Sequence, residues 1–146
     1  MSVSSSIEIR FQNKLASTKL IQVLLDYGWS LEDHSRITYL PEHDDEYEWQ
    51  YLGMNDQPQL WKILEKKEEL NEVIGIALTW KDTNIGFELL IWEERSSICL
   101  NLVINRKSIN ANSRVTDYSW YLDRLIPAFS GLDANTVEKI CCEQDM

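Results

Sequence analysis

Proline and glycine are scarce in this chain, three and five among 146 residues, which excludes the Pro- and Gly-rich compositions of disordered linkers and fibrous proteins. Long apolar runs are also missing. No stretch approaches the roughly 18 residues needed to span a bilayer. The opening "MSVSSSIEIR" lacks the basic segment and apolar core of a signal peptide. The expectation is a cytoplasmic protein with no membrane contact. Cysteine is limited to Cys99, Cys141 and Cys142, an odd number without the spacing of a zinc knuckle or a redox CxxC, so free thiols are expected. What is present, 44% hydrophobic and 26% charged residues, suits one folded domain over residues 1–146. A chain of this size buries roughly two-thirds of its unfolded surface.

Positive charge is the other shortage. Lys and Arg number 14 against 24 Asp and Glu, for a net charge of -10. The imbalance is local: residues 26–56 hold nine acidic residues against Arg36 alone, eight of the ten net negative charges. Such a field repels nucleic acid and anionic membrane and speeds encounter with a basic protein. The centre of the segment reads "PEHDDEYEWQY" (41–51).

Periodicity predicts the elements. "IEIRF" (7–11) alternates as a half-buried strand, and "STKLIQVLLDYG" reads as a helix with Ser17 or Thr18 as N-cap and Gly28 as its left-handed terminator. "RITYLP" (36–41) is a strand ending at Pro41. Tyr47, Trp49 and Tyr51 alternate with Glu46, Glu48 and Gln50, so a hairpin over 36–52 with "EHDDE" near its turn is expected. "QLWKILEKKEELNEV" is helical, with Pro58 in its first turn. Three strands follow, 73–80, 85–94 and 98–105, and their short connections require antiparallel neighbours. "SRVTDYSWYLDRLIPAF" would be a covering helix using Val115, Tyr118, Leu122, Leu125, Ile126 and Phe129. "DANTVEKICCEQ" would be a last helix capped by Asp133. The predicted fold is α+β, a mainly antiparallel sheet of five to six strands with helices on one face, in the order β-α-β-β-α-β-β-β-α-α.

Catalytic signatures are missing. Neither GxGxxG, GxxxxGK[ST] nor GxSxG occurs, and the histidines are two, His34 and His43. Consecutive side chains at His43, Asp44, Asp45 and Glu46 would diverge in extended backbone, and no DxDxDG loop is present, so no metal or cofactor is expected. Trp61, Trp80 and Trp120 read as core. Carboxylates beside rings suit a basic partner, for which acids steer and rings anchor. The candidate binding residues are therefore Glu42, Asp44, Asp45, Glu46, Tyr47, Glu48 and Trp49. The alternative is a hairpin whose rings pack on the sheet with the acids outside. The basic cluster Arg106, Lys107 and Arg114 would contact the protein's own acidic region.

The acidic run, together with "IGIALTW...IGFELLIWEE...ICLNLVIN" and "TDYSWYLDRLIPAF", resembles the immunity proteins of bacterial polymorphic toxin systems, including those of contact-dependent growth inhibition. That resemblance implies stoichiometric, high-affinity binding to a cognate toxin domain, often a basic nuclease, that blocks its active site or access to substrate; with catalytic motifs missing, a non-enzymatic protein, a monomer or weak dimer, is expected. From the acidic field, no direct binding of nucleic acid is expected. An acidic secretion chaperone holding a client protein is the alternative, and a small enzyme or metal-binding protein a further one.

Overall fold

The computed structural model describes residues 3–132 and 136–146. Along the chain run β1 (Ser4–Phe11), α1 (Ser17–Tyr27), β2 (Trp29–Ser30), β3 (Arg36–Tyr39), β4 (Gln50–Gly53), α2 (Gln57–Glu69), β5 (Ile74–Trp80), β6 (Gly86–Ile91), β7 (Ser97–Ile104), α3 (Tyr118–Leu125) and β8 (Val137–Asp145). Short 3₁₀ turns at Met54–Asp56 and Pro127–Gly131 precede α2 and follow α3. The strands form one antiparallel sheet in the order β4-β3-β5-β6-β7-β1-β8, with β2 also paired to β5.

The class is α+β as expected, with eight strands among the described residues where five to six were expected. One addition is β2, too short to leave a periodic signal. The other is β8, which replaces the expected last helix; the Asp133 cap falls outside the described residues. β8 completes the free side of β1, pairing Ile7 with Cys142 and Ile9 with Ile140. The expected covering helix is shorter than "SRVTDYSWYLDRLIPAF". Asp117 caps it by accepting a hydrogen bond from Trp120 N–H, so Val115 precedes the helix and is exposed.

Period-two alternation assigns the faces. Ile7, Ile9, Phe11, Ile74, Ile76, Leu78, Phe87, Leu89, Ile91, Ile98, Leu100 and Leu102 are buried in one cluster with the inward residues of α1, α2 and α3. Trp61, Trp80 and Trp120 pack against that cluster, half-buried. Burial of this apolar surface, at roughly 25 cal/mol per Å², is the main favourable contribution to the fold.

Helices α1 and α2 are tied together by one carboxylate. Neither Ser17 nor Thr18 caps α1; Ala16 occupies the cap position without a side-chain bond. Glu68 of α2 accepts instead from Ser17 N–H (2.7 Å) and Ser17 Oγ (2.9 Å), placing negative charge at the positive end of α1. Gly28 ends α1 at φ 140° as expected, its N–H bonded to Leu24 O.

Candidate functional site

The face of the sheet turned away from the helices is where the acidic segment lies. β3 and β4 form the expected hairpin, Arg36 opposite Gly53 and Tyr39 opposite Gln50, and residues 40–49 connect them. β4 begins only at Gln50, so the expected strand alternation through Tyr47 and Trp49 is absent. Tyr47 itself takes a left-handed conformation at φ 57°. The connection is organised by its own side chains. Asp44 accepts hydrogen bonds from Glu46 N–H (3.1 Å) and Glu48 N–H (3.0 Å), the use to which Asp is well suited in turns. His43 donates its N–H to Glu72 Oε1 (2.8 Å), and its Nδ1 lies 3.2 Å from Glu72 Oε2.

Beneath this loop lie two buried cations. Lys67 is 1% exposed, and its Nζ donates to Leu40 O at 3.0 Å. Burial pushes its ammonium down to about 8, against the opposing pull of Glu72, Asp44 and Glu42. Arg95, 4% exposed, places Nε 2.6 Å from Glu68 Oε1 and donates to the carbonyls of Lys67, Glu72, Ile91 and Trp92. It joins the turn after β6 to the C-terminal end of α2, where a cation also suits the helix dipole.

The rings part company. Trp49 is half-buried and packs with Val73 and Trp92 on the small cluster of Leu40, Leu90 and Cys99. Gly75 makes room for it: a Cβ there would lie 2.5 Å from Leu40 and 3.0 Å from Trp49. Tyr47 stays exposed, and Tyr51 lies under the Arg36 guanidinium at 3.5 Å. The expected binding residues therefore divide. Trp49 and Asp44 hold the loop, whereas Asp45, Glu46, Glu48 and Tyr47 offer side chains to solvent; Glu42 is half-buried beside them.

Acidic residues from elsewhere in the chain join this surface. A groove of about 340 Å³ is lined by Asp44, Asp45 and Tyr47 together with Leu40, Asn71, Glu72, Val73 and Glu93, with no cation among them. At the other end of β5 a wider groove of about 750 Å³ is bordered by Glu32, Asp33, His34 and Asp82, with Thr79 on its wall. Asp33 is largely buried and accepts from Thr38 Oγ1 at 2.9 Å. Between the grooves Glu88 shares the register row of Ala77 and Asn101. Burial and the nearby Asp33 carboxylate push the Glu88 carboxyl upward. Glu72, Asp82, Glu88 and Glu93 escape a reading of residues 41–51 because only sheet pairing brings them there. Alternation in "IGFELLIWEE" does set Glu88 on this face.

The basic cluster is elsewhere, a correction to the expected salt contact. Arg106 donates to Arg114 O and Thr116 Oγ1, and Lys107 Nζ to Ser108 O. These cations brace their own loop. Among the described residues, no group of three or more His, Cys, Asp or Glu is arranged to hold a metal ion, and no helix is long and apolar enough to cross a membrane.

No protein-family model, curated protein or solved structure matches this chain.

Proposed function

We propose that the acid-lined face binds a basic protein domain, and that the chain is a cytoplasmic immunity protein neutralising a cognate toxin, a nuclease in the favoured case. The observation that carries the reading is the convergence of Asp44, Asp45, Glu72 and Glu93 on one groove without a cation among its lining residues. Guanidinium groups match carboxylates in a planar fork, and a nuclease concentrates such groups where it grips phosphates. Carboxylates placed against them compete with the substrate directly. Tyr47, exposed at the rim, adds a ring for cation-π contact.

The test uses the product of the reading frame immediately upstream as the partner. Asp45, Glu46, Glu48 and Glu93 are exposed, so D45N/E46Q/E48Q/E93Q leaves the loop's own hydrogen bonds in place. Wild type should relieve that product's toxicity on co-expression and bind it stoichiometrically. The quadruple variant should associate about 10- to 100-fold more slowly at low salt and show a shallower salt dependence. Unchanged kinetics and salt dependence, or no relief of toxicity by wild type, would overturn the proposal.

A further inference from the structure

β8 is a nine-residue strand at the edge of the sheet, paired to β1 on one side and exposed along most of its length. The hydrogen-bond parity of the sheet shows which of its backbone groups are unspent. Phe11 N–H bonds Ser96 O on the β7 side, whereas Gln12 N–H bonds Thr136 O on the β8 side. Residues of β1 therefore alternate, with Ser6, Glu8 and Arg10 turned to β8 and opposite Glu143, Cys141 and Lys139. The N–H and C=O of Ile140 and Cys142 are left pointing outward. Ile140 is also one of the exposed large apolar side chains, at 39%. An open edge of this kind is a template for another strand.

We infer that the strand it accepts is β8 of a second copy, paired antiparallel about a two-fold axis at Cys141. Parity allows only registers that oppose outward residues to outward residues. Among these, the one centred on Cys141, the midpoint of Val137–Asp145, places Lys139 across from Glu143 twice. It also sets Ile140 against Cys142, both on the helix side. Unlike charges and apolar residues thus meet their own complements without a change in either copy. Cys141 faces Cys141 of the partner at a non-hydrogen-bonded position, where side chains approach most closely. The sheet becomes continuous across the axis, with the helices of both copies on the same side.

The cysteines report the register. The C142S variant, with Cys141 retained, should form a covalent dimer when diamide takes two electrons and two protons from the paired thiols to make the disulfide; C141S should not. Sedimentation should show concentration-dependent dimers for wild type under reducing conditions. K139E should weaken them about tenfold by turning two attractive pairs repulsive. K139E/E143K should restore them, because the swap regenerates both pairs. Circular dichroism checks that each exposed-site variant remains folded. A monomer at high micromolar concentration, dimers indifferent to K139E, or crosslinking through Cys142 alone would overturn the inference. So would a monomeric chain whose edge pairs instead with a strand of a different protein.

Discussion

Leu89 and Leu90 are consecutive residues of β6 that meet different environments. Leu89 is fully buried beneath the helices in the large apolar cluster, and Leu90, 6% exposed, lies on the other face with Leu40 and Cys99 under a cover of Trp49, Val73 and Trp92. One face is closed by secondary structure packed at helical spacing. The other is closed over part of its area by a loop and left polar and acidic over the rest. The difference teaches that this sheet's main core and its acidic, partly open face are segregated by the pleat, so substitutions can address one while sparing the other.

The largest expected effect tests that segregation directly. Leu89→Ala removes a side chain from a close-packed site and should cost about 3 to 4 kcal/mol in urea unfolding, while Leu90→Ala should cost about 1 to 2 kcal/mol because its shallow cluster can close over the gap. Equal losses would show that the second face is a core in its own right. Arg95→Ala should come next, at about 3 kcal/mol, since it removes a buried guanidinium that bonds Glu68 and four backbone carbonyls at once. It should also loosen residues 41–49, which rest against Glu72. Faster amide hydrogen exchange at Glu46 and Glu48, whose N–H groups bond Asp44, is the accompanying readout. No change there would detach the loop from the cation beneath it.

The smallest effect is one of pH. Lys67 titrates at about 8 in the folded protein against 10.5 as the ordinary value. The unfolded chain therefore holds that proton more tightly, and the penalty for burying the charge is fully present below about pH 8. It is relieved as pH rises from about 8 towards 10.5, so this site makes stability increase with pH in that window. Urea unfolding of Lys67→Met alongside wild type, at about pH 7.5 and about pH 10, should show wild type gaining relative to the variant. Parallel pH curves would contradict the buried-cation account.

Much of this was legible in advance where burial is one-sided. β5, β6 and β7 alternate apolar and polar residues and are joined by turns too short for a parallel return. α1 and α2 carry an apolar stripe with Gly28 and Pro58 at their ends. β8 carries no strand signal, because an edge strand exposed on both sides has no alternation to show and "VEKICCEQ" contains residues that helices accept. Only the vacant side of β1 makes it a strand. The acidic loop was legible as charge but not as architecture. Nothing near Asp44 in sequence announces Glu72, or Lys67 buried below it. The sequence leaves Trp49 open between partner anchor and packing on the sheet; its ring packs against Gly75 and Leu40, a space that appears only when β3 lies beside β5.

The position of β1 sets a timetable for synthesis. Ile7, Ile9 and Phe11 leave the ribosome well before their neighbours, since β1 pairs with β7 (Ser97–Ile104) and β8 (Val137–Asp145). Roughly ninety residues must follow before either neighbour exists, and contacts so distant along the chain form slowly. Until then an apolar strand stands without a partner, open to holdase chaperones and to aggregation with other nascent chains.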